Sequence, residues 1–103
     1  MSETVVSHSP DKTRYEAHVD GKLAGFAEYI LADGLVVFTH TEVDPAFEGQ
    51  GVGSSLARFA LDDVRDSGGR RVLPMCPFIK GWIARHREYV PIVYGVPEST
   101  AKD

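Results

Sequence analysis

Three groups of residues in this chain have types and spacings that could do chemistry. The first is Glu48-Gly49-Gln50-Gly51-Val52-Gly53-Ser54-Ser55-Leu56. Its alternating glycines keep side chains away, so several backbone N–H groups can converge on one point. At a helix start such donors have no intrahelical partner, and the macrodipole adds partial positive charge. A place like this binds an anion, most often phosphate or pyrophosphate, or is a glycine-rich turn that merely enters a helix. The second group is Cys76-Pro77. The residue before a proline favours extended backbone, and proline suits the first helical position, so Cys76 stands where a strand ends and a helix begins. A thiol there can become a reactive thiolate, or it can be a small buried side chain. The third is His40 and Glu42, two apart on a strand and therefore on one face. They could take a proton from an amine, or form a solvated polar face.

The phosphate loop can be narrowed by elimination. A P-loop needs Gly-Lys-Ser/Thr, and no lysine follows these glycines. A dinucleotide fingerprint counted from Gly49 and Gly51 requires a third glycine where Ser54 stands. The loop reads instead as Gln-x-x-Gly-x-small, at Gln50, Gly53 and Ser55.

These groups need elements to hold them. Val5-Val6 could start an edge strand. Arg14 to Val19 alternates as a half-buried strand should, and Asp20-Gly21-Lys22 reads as a hairpin turn. Leu23 to Leu31 gives a second strand, Ala32-Asp33-Gly34 a second turn, and Leu35 to Val43 a third strand, apolar on both faces at its start and so central in the sheet. Asp44-Pro45 ends it. Val52, Leu56, Phe59, Ala60 and Val64 recur at helical spacing, and Ser67-Gly68-Gly69 stops that helix. Arg71 to Cys76 is a short returning strand, which a right-handed crossover sets parallel to the third. Pro74 within it removes one ladder donor, which argues against full pairing on both sides and suits an edge strand. A last helix runs from Pro77 to about His86. An antiparallel meander followed by a β-α-β-α unit makes a mixed-sheet α/β fold.

Composition sets the remaining bounds. A length of 103 residues suits one domain, 1–103, with loose ends at 1–4 and 97–103. A net charge of −4 with no basic block argues against nucleic acid. No apolar run approaches the roughly 20 residues that span a bilayer, so no membrane partner is expected. One cysteine cannot form an internal disulfide, and no apolar leader is evident, which together favour the cytoplasm. A monomer is expected. The four histidines and one cysteine lack paired ligand spacing, so no metal site is assigned.

Gln50, Gly53 and Ser55, with His40-Thr41-Glu42-Val43 before them and Cys76-Pro77-Phe78-Ile79 and His86-Arg87-Glu88-Tyr89 after, resemble the GNAT acetyltransferases, in particular their short single-domain members. The resemblance covers about Arg14 to Tyr89. It implies a truncated GNAT-like fold, acetyl-CoA as cofactor, and an amine acceptor, a protein lysine among the candidates. By position it implies that Gln50, Gly51, Val52, Gly53, Ser54 and Ser55 hold the pyrophosphate through backbone N–H groups. It implies that the Val43 backbone pairs with the pantetheine arm, and that Cys76 lies close to the thioester. Glu42, then His40, are the candidate bases. Many members carry a tyrosine two turns into the last helix as general acid. Trp82 and Ile83 stand there instead, and Trp82 is read as packing against the cofactor arm or the core. A CoA-binding module without efficient catalysis is the second function this pattern allows.

Overall fold

In the computed structural model, which describes residues 3–95, Tyr15, Ala17 and Val19 alternate with polar neighbours and make Arg14–Val19 a strand with a buried face. This is β2. It lies between β1 (Thr4–Ser9) and β3 (Lys22–Ala32), and β4 (Leu35–Val43) follows. Asp20 and Gly21 both have positive φ, 52° and 80°, as a two-residue hairpin with the favoured twist requires. The edge strand expected from Val5-Val6 is longer than its apolar signal, because its pairing with β2 runs from Thr4↔Val19 to Ser9↔Arg14. The stretches read as loose ends, 1–4 and 97–103, lie outside the described residues except for Glu3 and Thr4, and Thr4 opens β1.

The sheet order is β1-β2-β3-β4-β5, antiparallel up to β4, with β5 (Arg71–Pro74) parallel to β4. The crossover between them is α1 (Val52–Ser67), and α2 (Pro77–Arg85) follows β5. This is the mixed α/β fold read from the pattern. Pro74 sits on the last strand of the sheet. Val72 uses its carbonyl outward, accepting from Tyr94 N–H, so by alternation the missing Pro74 donor also faces the outer edge.

Both helices pack on one face of the sheet. Tyr15, Phe38 and Val72 share a core with Leu56, Leu61, Ile79 and Trp82. The other face carries Arg14, Phe26, His40 and Glu42, and no described helix covers it. Phe59 departs from the expected helix face. It is 40% exposed at the rim, while Ala57 and Leu61 join Leu56, Ala60 and Val64 inside.

Two glycines permit close approaches that position the site. A Cβ on Gly25 would lie 2.7 Å from the Glu42 carbonyl, so β4 can sit tightly against β3 where α1 begins. A Cβ on Gly53 would lie 2.7 Å from Phe78 Cζ, so the first turn of α1 receives the α2 ring.

Candidate functional site

The loop after β4 is organised by its own short-range bonds. Asp44 accepts from the Ala46 N–H at 2.8 Å and caps a 3-10 turn at Pro45–Phe47. Gly49 and Gly51 then take left-handed backbone, φ 83° and 77°, which a side chain would strain. Gly51 is the N-cap of α1, and no side chain caps the helix. Ser55 N–H makes the first helical bond, to Gly51 O at 2.9 Å. The amides of Val52, Gly53 and Ser54 therefore have no helical acceptor.

These amides border a cleft of about 370 Å³ whose other walls include Val43, Trp82, Arg85 and His86. Trp82 is 1% exposed and its Nε1–H donates to Ser54 Oγ at 2.9 Å, tying α2 to the first turn of α1. His86 stacks on Trp82 with centroids 3.7 Å apart, and its Nδ1–H donates to the Trp82 carbonyl at 2.8 Å. A groove of about 590 Å³ lies elsewhere, between Gly34 and Arg70. It is open, and its Arg65 is already paired with Asp62 and Asp66.

The cleft leads to a free strand edge. Pairing of β4 with β5 stops at Phe38↔Pro74, while β4 continues to Val43 beside β3. Thr39 is an extra residue opposite the Glu28–Tyr29 step, a bulge that bends β4 at this point. Asp44 N–H donates to Ala24 O, so by antiparallel alternation Glu42 faces β3 and the Thr41 and Val43 peptide groups face the gap.

Cys76 is the N-cap of α2, as the proline after it requires, and is 3% exposed. Its Sγ donates to Thr41 Oγ1 at 3.3 Å, and its N–H donates to Phe38 O at 2.9 Å. The thiol thus faces the inner side of β4, within the core. His40 and Glu42 are on the opposite side of the same strand, 3.1 Å apart and both more than half exposed. The three candidate catalytic residues flank the gap from two faces rather than forming one cluster.

Of the residues expected at the phosphate loop, Gly51, Val52, Gly53 and Ser54 line the cleft together with Val43 and Trp82. Gln50 and Ser55 do not. Ser55 lines a separate hollow between α1 and β1. Two lining residues, Arg85 and His86, are not among the site residues that the sequence motifs assign. Arg85 ends α2 and His86 is its C-cap, and the signal that could have found them is a basic side chain three or four residues after Trp82. No phenol stands on α2. Tyr89, just beyond it, is engaged elsewhere: its hydroxyl donates to Asp62 at 2.6 Å and accepts from Arg58. Burial, then the Asp62 hydrogen bond, pushes its phenol above the usual range.

The glycine loop between β4 and α1, opening beside a splayed parallel pair, has a counterpart in known proteins. The family model for the GCN5-related N-acetyltransferases matches residues 14–92. The chain belongs to that family. Solved structures of GCN5-related N-acetyltransferases share its fold. A GCN5-like protein of Staphylococcus aureus superposes over 100% of both chains with a TM-score of 0.69 at 18% identity. The ribosomal-protein-alanine N-acetyltransferase of Brucella melitensis biovar Abortus 2308 aligns over 87% of this chain and 67% of its own, with a TM-score of 0.53 at 18% identity. The Escherichia coli ribosomal-protein-S18-alanine N-acetyltransferase reaches a TM-score of 0.55 at 23% identity over 59% of this chain, which spans 39% of that enzyme's length. No curated protein matches the sequence. Among the described residues no helix is long and apolar enough to cross a membrane, and no group of metal-ligating side chains is found.

Proposed function

We propose that the protein binds acetyl-CoA, with the amides of Gly51 to Ser54 around its pyrophosphate, and transfers the acetyl group to an amine acceptor. The observation that carries this reading is the set of amides at the start of α1 that have no partner among the described residues, opening into a cleft that Val43 links to the free edge of β4. The donor set suits the cofactor: backbone N–H groups for the anion, and outward-facing Thr41 and Val43 peptides for the amides of an extended arm.

Acetyl-CoA, when bound, would supply an acetyl group activated as a thioester: the nitrogen of an uncharged amine would bond to its carbonyl carbon as the C–S bond breaks, and the CoA sulfur would leave as the thiol. The chain's part is to bind, orient and manage one proton. Glu42, with His40 hydrogen-bonded to it, is the group to accept the proton of an arriving ammonium, directly or through water. Cys76 lines the inner side of the gap, held by Thr41. The acceptor reaches Glu42 from the helix-free face of the sheet, which is broad enough for a lysine presented on a protein. Titration with CoA followed by amide-shift mapping tests the reading: shifts concentrated in Gly51 to Ser54 support it, and unmoved amides at millimolar CoA overturn it.

One observation favours a second reading. Where the resemblance implies a phenolic acid stand Trp82, whose only polar hydrogen is already committed to Ser54, and Ile83, which has none. A CoA-binding module with weak turnover follows from that. Intact-mass measurement of an amine-bearing acceptor incubated with protein and acetyl-CoA separates the two.

A further inference from the structure

The start of α1 and the end of α2 face the same cleft with opposite needs. The α1 amides suffice for an anion. The last turn of α2 presents carbonyls and the negative end of its dipole, so an anion there needs real cations. The cleft has them. Arg85 lines it, is exposed, and makes no ion pair among the described residues. His86 lines it with Nδ1 committed to the Trp82 carbonyl, which leaves Nε2 as the ring atom without a partner among the described residues. The Trp82 stack fixes the plane of that ring. Glu48 is the acidic group in the lining, and Arg85 offsets it.

We infer that Arg85 and His86 hold the ribose 3′-phosphate of the cofactor, making the protein selective for CoA over dephospho-CoA. The inference rests on the acetyl-CoA reading and adds to it a specificity that the glycine loop alone does not supply. The pyrophosphate is matched by Gly51 to Ser54 on one wall, and a second phosphate group one ribose away is matched by Arg85 and His86 on the facing wall. A planar guanidinium gives a phosphate two parallel donors. With Nδ1–H held by the Trp82 carbonyl, His86 Nε2 adds a third from a fixed direction when the ring takes up a proton together with the phosphate. Trp82 is the positioning residue, since it orients His86 and joins both walls through Ser54.

Calorimetric titration of CoA and dephospho-CoA into the wild type, Arg85→Gln and His86→Asn tests this. The wild type is expected to bind CoA about tenfold more tightly than dephospho-CoA, a difference typical of one charge-assisted contact. Arg85→Gln should bring CoA down to the dephospho-CoA affinity, His86→Asn should narrow the gap severalfold, and dephospho-CoA should bind all three alike. Equal wild-type affinity for the two ligands overturns the assignment. So does a parallel loss of both ligands in the variants, which would move these side chains to the pyrophosphate or to the fold. A wild type that binds neither ligand instead overturns the cofactor reading on which the assignment rests.

Discussion

The indole N–H of Trp82 and the hydroxyl of Ser54 meet at 2.9 Å, so the second helix is bolted to the turn of the first that presents its free amides. Trp82→Phe removes that donor while keeping most of the apolar volume. It should weaken CoA severalfold through the misplaced Ser54 and cost about 1 kcal/mol of stability, the scale of one neutral hydrogen bond. Calorimetry and chemical denaturation would read the two effects separately.

Gly53 and Phe78 should be energetically coupled. Gly53→Ala gains helix propensity of about 1 kcal/mol, but in the wild type the new methyl meets the Phe78 ring at 2.7 Å. The gain should be absent or reversed with Phe78 present and recovered in a Phe78→Leu background. A double-mutant cycle by urea denaturation should give a coupling of at least about 1 kcal/mol; additive effects would mean the ring moves aside freely.

Cys76 should line the gap without carrying the acetyl group. Its burial and its bond to Thr41 suit a wall better than an exposed nucleophile. Cys76→Ala should keep transfer within about tenfold of the wild type. Mass spectrometry of the wild type after acetyl-CoA treatment should find no adduct on Cys76. Near-complete loss of transfer in both Cys76→Ala and Cys76→Ser, with an adduct on the wild type, would establish the covalent route.

Glu42 is exposed and far from the core, so its replacement isolates chemistry from folding. Glu42→Gln should lower transfer about 100-fold, the usual scale for a general base, with CoA affinity unchanged. A rate that barely moves would leave Glu42 as a solvated strand-end residue.

The Arg14–Glu16 pair on the helix-free face should make stability depend on acid. The 2.7 Å hydrogen bond from Arg14, then the charges of Arg14 and Lys12, hold the Glu16 carboxyl below its usual range against the opposing effect of burial. A carboxyl lowered in the folded state stabilises above its unfolded value of about 4.3, and that contribution is lost as pH falls through the folded value. Glu16→Gln should therefore be less stable than the wild type at pH 7, by roughly 1 kcal/mol. The gap should close in acid, measured by thermal melts across pH.

Much of this fold is legible in the sequence because short-range signals agree with tertiary demands. Arg14–Val19 and Leu35–Val43 have the boundaries their alternation and turns suggest. The phosphate loop is equally local, since glycines, strand end and helix start are contiguous. What the pattern hides is relational. Phe59 follows helical spacing, but which arc of α1 meets the sheet depends on how the crossover seats. Arg85 carries no mark of its own, and joins the cleft only because Gly53 lets Phe78 approach and Trp82 turns that face of α2 toward Ser54. Thr41 becomes notable only once Cys76 is set against it.

The strand order has a kinetic consequence. Because β1 to β5 pair strictly with their neighbours along the chain, the meander can zip by hairpin closures of few residues, each with a small loop-entropy cost. The longest closure is the joining of β5 to β4 across α1, and it also assembles the cleft. Refolding should therefore have its late barrier at that step, with the four antiparallel strands ordered before the glycine loop acquires its shape.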